Sequence, residues 1–165
     1  MKRLILALLI LPISAISSAA DEAATVSTDD LSVITGDDWT GELTYLNYGE
    51  PVIDFTIAAE IDVTEIEGGF EFSFQYPDEP HANMTAVTTI SADGAMINDE
   101  TVIANTLLDN GTREIRTQFG CEDLGRPATC EMIYTLSETQ FELRKMVTYE
   151  GEAEAFRRNS YAFTR

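Results

Sequence analysis

Two stretches of strict alternation constrain this chain more than anything else in it. In residues 53–63, Ile53, Phe55, Ile57, Ala59, Ile61 and Val63 fall on one parity, with Asp54, Thr56, Glu60 and Asp62 on the other. In residues 70–76, Phe70, Phe72, Phe74 and Tyr76 alternate with Glu71, Ser73 and Gln75. A period of two sends alternate side chains to opposite faces of an extended backbone, so both segments read as half-buried antiparallel strands. Gly68-Gly69 between them permits a tight hairpin.

Strand and turn signals continue along the rest of the chain. A first strand over about 40–48 begins just after Trp39, the only tryptophan, and ends at Gly49, Glu50 and Pro51. Residues 77–81 form a loop with two prolines, and residues 84–90 read as a strand rich in Thr and Val. Asp93-Gly94 turns the chain into a short strand near 95–97, and a further strand spans 101–108. Asp109-Asn110-Gly111 is a strong hairpin signal leading into a strand over 112–121. The loop 122–127 and a strand over 129–136 follow. Residues 137–149 are ambiguous. Ser137 to Gln140 resembles a capping box and Leu143, Met146 and Val147 have helical spacing, but Phe141, Leu143, Val147 and Tyr149 share one parity. The balance favours a strand over 140–149, with a last strand from 154 to 165. Eight to ten short strands in succession would make an open sheet curl, and closure removes its exposed edges. The expected fold is an all-β, antiparallel up-and-down barrel of 8–10 strands, with a two-sheet sandwich as the alternative.

The N-terminus has a different character. Met1-Lys2-Arg3 is basic, residues 4–13 are apolar, and Ser18-Ala19-Ala20 offers small residues at a cleavage position. This is the pattern of a signal peptide over 1–20, too short to span a bilayer. It predicts an exported chain, periplasmic or secreted, with no stable membrane insertion after cleavage. Residues 21–27 read as a mobile leader. Thr28, Asp29 and Asp30 favour a helical turn carrying Leu31, Val33 and Ile34, so 21–35 is leader and short helix and 36–165 is the barrel domain. In an oxidising compartment Cys121 and Cys130 are expected to form a disulfide across the base of their loop, contributing about 2 to 3 kcal/mol. A zinc site is the rival reading, but two Cys and one distant His supply no ligand set of the usual spacing.

Charge narrows the partners. The chain carries a net charge of -19, and residues 21–112 hold twenty Asp and Glu with no Lys or Arg. The eight basic residues beyond the leader all lie at or after Arg113. Nucleic acid is excluded as a partner, because phosphate binding needs a basic patch, and an anionic membrane surface is disfavoured for the same reason. High net charge supports solubility. A closed barrel also relieves the asymmetry, by laying basic late strands beside acidic early ones.

A short helix, then Gly36-Asp37-Asp38-Trp39, then a meander of strands ending in basic residues resembles the lipocalin-like, or calycin, barrels. In that family a Gly-x-Trp opens the first strand and a basic residue of the last strand packs on the Trp. Here one extra residue separates Gly36 from Trp39, and Arg158 and Arg165 are the candidates to pack on it. The resemblance implies a barrel holding a small lipophilic or amphiphilic ligand. A barrel of eight strands is near the size at which side chains either fill the interior or leave room for one ligand. Phe55, Phe72, Phe74 and Tyr76 are therefore candidates either for core or for a pocket wall. Arg158 shares parity with Phe156 and Ala162, and if that face points inward the guanidinium must find a carboxylate, a ligand anion or the Trp ring. Trp39 and Arg165 are the structural candidates. His81, the only histidine, lies in the two-proline loop beside Asp78 and Glu79 and is expected to be solvated. No nucleophile elbow, phosphate loop or calcium-loop spacing occurs, so no catalytic residue, metal or cofactor is assigned. The expected role is ligand binding; a filled interaction barrel and, more remotely, an enzyme on the same scaffold are the alternatives.

Overall fold

A computed structural model describes residues 23–165; the signal peptide expected over 1–20 lies outside them. One turn of helix, α1 (Thr28–Leu31), continues as a 3-10 turn (Ser32–Ile34), and ten strands follow. They are β1 (Gly36–Asn47), β2 (Ile53–Ile66), β3 (Gly69–Gln75), β4 (Met84–Thr89), β5 (Met96–Ile97), β6 (Glu100–Leu107), β7 (Arg113–Asp123), β8 (Arg126–Leu136), β9 (Gln140–Tyr149) and β10 (Phe156–Thr164). All pairings are antiparallel and the order is β4-β3-β2-β1-β10-β9-β8-β7-β6-β5. Sequence neighbours pair throughout, and β1 pairs with β10, so the meander closes as expected. The seam is narrow: a single bridge, Ile90 to Ile97, links the end of β4 to β5. The Asn98 side chain reinforces it by accepting the Thr89 N–H at 2.8 Å. The result is a nearly closed barrel rather than a sandwich, with 64% of the described residues in strands.

One end of the barrel is plugged by the N-terminal segment. Leu31 and Ile34 are fully buried and Trp39 is 1% exposed. Ser27 caps α1, exchanging hydrogen bonds with Asp30. The leader is docked where mobility was expected: Val26 is buried and its N–H donates to the Gly94 carbonyl at 2.9 Å. Trp39 Nε1 donates to the Ile34 carbonyl at 2.8 Å. The Arg165 guanidinium lies 4.3 Å from the centre of the Trp39 ring and donates to the carbonyls of Val33, Thr35 and Glu138. Those bonds tie Arg165 to the plug. Trp39 lies inside β1 rather than at its mouth, because the strand starts at Gly36 with a bulge before the Trp.

Above the plug the barrel is filled by rings. Phe141 touches Trp39, Phe72 and Phe163, with centroids 5.8 to 6.2 Å apart, and Tyr161 contacts Phe74 and Phe163. At Gly41 the β1 backbone approaches β10 so closely that a Cβ would lie 1.9 Å from the Ala162 carbonyl oxygen, so a side chain there would displace the strand. Residues 140–149 are a strand, settling the helix-strand ambiguity, because Phe141, Leu143 and Val147 form one buried or half-buried face. A second small cluster of Ala128, Cys130, Val147 and Tyr149 packs with Phe119 and Phe156. The Cys121–Cys130 disulfide stands at its edge. It joins β7 to β8, whose hairpin is tighter than the loop expected over 122–127: only Leu124 and Gly125, both with positive φ, turn the chain.

The charge asymmetry is resolved in part by closure. Arg113, Arg157 and Arg165 pair with Asp30, Asp54 and Asp38 of the acidic first half. The other four arginines pair within the second half, with Glu131, Glu152, Glu142 and Asp123.

Candidate functional site

The strand register lays the inward-facing side chains out in rows. One row runs Asn105, Ile115, Tyr134, Leu143, Tyr161, Leu43, Ile57 across β6, β7, β8, β9, β10, β1 and β2. The next runs Val102, Thr117, Met132, Lys145, Asn159, Tyr45, Phe55 across the same strands. Partners directly opposite on one face stand about 5 Å apart, so each row is a continuous surface. In the first, Ile115 and Tyr134 are buried and the other five residues are half-buried. In the second, Val102 and Thr117 are buried, Met132, Lys145, Asn159 and Tyr45 are half-buried, and Phe55 is 43% exposed.

That exposure marks an open half of the barrel. Ile53 and Phe55 share the inward parity of the fully buried Ile61 on β2, and Met84 faces Phe74 across β3 and β4, yet they are 45%, 43% and 48% exposed. Ile53 and Phe55 lie on the part of β2 that β3 does not reach, since their pairing begins at Glu60. The five expected ligand residues divide accordingly. Phe72, Phe74 and Tyr76 are buried, at 3%, 5% and 5%, and belong to the packed half. Phe55 stands in the open half, stacked on Tyr45 at 6.1 Å. The floor between the halves is a bond across the lumen, from the Tyr76 hydroxyl of the β3 end to the Tyr161 hydroxyl of β10 at 2.7 Å. Burial first, and then this bond, push the Tyr161 phenol up.

Arg158 is not in the lumen wall. It is the bulged residue of β10: Arg157 pairs with Met146 and Asn159 with Lys145, leaving Arg158 between them without a partner. The bulge reverses the parity of the strand, so Phe156 and Phe163 both serve buried clusters despite their odd separation, and the face shared by Phe156, Arg158 and Ala162 on paper does not exist. Arg158 instead enters a polar knot. Its Nε donates to Asp123 Oδ1 at 3.1 Å, its Nη1 donates to the Leu46 carbonyl at 2.9 Å, and its guanidinium lies 4.8 Å from the Tyr48 ring centre. The hydroxyls of Tyr48 and Tyr149 both donate to Asp123 Oδ2. Burial raises the Asp123 carboxyl, but the two phenols and Arg158 outweigh it and hold it below its ordinary range. Burial and Asp123 together raise the Tyr48 phenol. Arg126 stacks on Tyr149 at 3.6 Å and completes the group. The knot ties the ends of β1, β7, β8, β9 and β10.

Sequence reasoning overlooked the polar members of the open row. Lys145 fills the one gap in the apolar parity of Phe141, Leu143, Val147 and Tyr149, and a lone lysine on an apolar face was the available signal. Its ammonium lies 5.8 Å from the Phe119 ring centre. Nearby, Glu100 accepts a hydrogen bond from the buried Thr117 hydroxyl. Burial raises the Glu100 carboxyl, against the opposing effects of Thr117 and of the Lys145 charge. A depression of about 510 Å³ borders Glu100 and Phe119. Neither it nor three other surface depressions is lined by Phe55, Phe72, Phe74 or Tyr76.

His81 is exposed, in a 3-10 turn over Pro80–Ala82. Among the described residues no group of His, Cys, Asp and Glu could hold a metal ion. The geometry defines a nearly closed antiparallel barrel compatible with a calycin-like fold. No family model and no curated protein matches the chain.

Proposed function

We propose that this protein is a lipocalin-like binding barrel, exported and soluble, that takes a small lipophilic or amphiphilic molecule against the open half of its interior. The observation that carries the reading is the exposure of Ile53 and Phe55 on the inward-facing side of β2, whose deeper residues Ala59 and Ile61 are buried. Covering such a wall removes apolar area from water at about 25 cal/mol per Å², a driving force that needs no special chemistry. The disulfide fits an oxidising compartment, and among the described residues no helix is long and apolar enough to cross a membrane.

Titration with N-phenyl-1-naphthylamine, an uncharged lipophilic fluorophore, tests the reading. One saturable site, weakened about tenfold by Phe55→Asp, supports it; no saturable enhancement rejects it. The second reading, a filled barrel that serves as an interaction domain, draws on the ring packing around Phe141 and on depressions that lie elsewhere. It gains from the same negative result.

A further inference from the structure

The narrow seam leaves one edge of the sheet open. β4 pairs with β3 from Met84 to Thr89, but among the described residues its other side meets β5 only through the Ile90 to Ile97 bridge and Asn98. Asn98 shows which residues face that side. The Thr89 N–H donates to Asn98 Oδ1 at 2.8 Å, and the Thr89 carbonyl accepts from the Asn98 N–H at 2.7 Å. In an antiparallel ladder alternate residues turn both backbone groups toward the same neighbour, so Val87 and Thr85 each present an N–H and a carbonyl to the free side. Met84, Thr85 and Val87 are exposed, Val87 at 51%. Free edges are ordinarily guarded by charge, proline, a bulge or a covering segment. The β6 edge has two of these: a bulge between Val102 and Ala104, and the leader, whose Thr25 carbonyl accepts from Asn105 Nδ2 at 2.8 Å. The β4 edge has neither. Its register with β3 is regular, and residues 81–92 hold no Asp, Glu, Lys, Arg or Pro in a chain that is 24% charged.

Carboxylates stand at both ends of this edge. Asp78 and Glu79 lie in the loop that leads into β4, and Asp99 follows Asn98 at its far end. Among the described residues none of the three is in an ion pair. A second copy of the chain is a poor occupant. Two β4 edges meeting antiparallel would turn the Asp78-Glu79 loop of each toward Asp99 of the other, between chains of net charge -19, and like charges set together across an interface are costly. We propose that the β4 edge is a docking strand for an extended, basic segment of another protein, which adds beside Thr85 and Val87 by strand addition. The segment runs antiparallel to β4, as β5 does, and exchanges both backbone bonds with each of those two residues. Five residues of strand span about 17 Å. A neutral centre of that length with Lys or Arg at either end sets its cations against Asp99 and the Asp78-Glu79 loop, while its two faces pack on Val87 and Met84. Contact this small belongs to the transient class of interface. The site is separate from the wall of Ile53 and Phe55, and it stands whether or not that wall takes a ligand.

The test follows the amide resonances of the isotope-labelled protein during titration with two peptides, acetyl-Lys-Val-Thr-Val-Thr-Val-Lys-amide and its analogue ending in Glu at both positions. Val87→Lys places a guarding charge on the exposed face of the edge. Thr85→Pro removes one N–H that points to the free side and leaves the ladder with β3 intact. The expected result is a shift of the Thr85, Val87 and Asp99 resonances, with the Lys peptide bound about tenfold tighter than the Glu peptide and about tenfold weaker by either variant. Equal binding of the two peptides overturns the basic partner. No binding of the Lys peptide, or shifts confined to Ile53 and Phe55, overturns the docking strand. Concentration-dependent broadening without peptide, abolished by Val87→Lys, overturns the proposal in favour of a second copy on this edge. The comparison of peptides on the wild type needs no variant to fold.

Discussion

Phe141→Ala and Phe55→Ala remove the same atoms from two halves of one barrel, and the division into a packed half and an open half requires them to differ. Phe141 is 1% exposed and its ring contacts Trp39, Phe72 and Phe163. Truncating a fully buried Phe costs about 3 to 5 kcal/mol, from lost transfer energy and the cavity left behind. Three aromatic neighbours place Phe141 toward the upper end of that range. A domain of this size is stable by about 5 to 15 kcal/mol in total, so the variant keeps its fold at a much reduced margin. At about 2 to 4 °C of melting temperature per kcal/mol, its midpoint falls by roughly 10 to 15 °C. Phe55 is 43% exposed, contacts mainly the Tyr45 ring, and leaves no sealed cavity because solvent reaches the vacated space. Its truncation costs about 1 kcal/mol. Urea unfolding followed by the emission of Trp39, the sole tryptophan, measures both. Equal losses for the two variants would refute the division, since Phe55 would then be core.

Three further outcomes follow from the knot, the bridge and the plug. The Asp123 carboxyl is held below its ordinary range, so its stabilisation is complete above the unfolded value of about 3.9 and is lost as pH falls through the lower folded value. Asp123→Asn should therefore cost about 2 kcal/mol at neutral pH, and the gap to wild type should close in acid, as read from urea midpoints across pH. Replacing both Cys121 and Cys130 by Ser should lower stability by about 2 to 3 kcal/mol in the same assay, while wild type in reductant approaches the variant. Arg165→Met should shift Trp39 emission to the red, because the guanidinium that roofs the ring and bonds Val33, Thr35 and Glu138 is gone.

The barrel was legible in the sequence because its signals are local and redundant. Alternation in residues 53–63 and 70–76, Gly68-Gly69 and Asn110-Gly111 each specify a strand or a turn from a few neighbours. Closure followed from the need to cover edges, and the β1 to β10 pairing agrees with it. The placement of Arg158 was not legible, since parity is carried along a strand only while the ladder is regular. One bulge between Arg157 and Asn159 inverts every assignment before it, and no residue in that stretch announces a bulge. The docking of Val26 was hidden for a different reason: it depends on the Gly94 carbonyl, which arrives from a remote turn. Lys145 was visible as an interruption of an apolar face, but its lack of an ion pair is a property of the assembled barrel.

The central claim, that the open half is a ligand site, is tested most directly by native mass spectrometry of the protein purified from the cells that make it, read against its denatured mass. The expected spectrum contains a bound species that denaturation releases, of lipophilic or amphiphilic character. A native mass equal to the denatured mass, in a sample that also fails to take up N-phenyl-1-naphthylamine, would contradict the claim and leave a filled barrel that serves as an interaction domain.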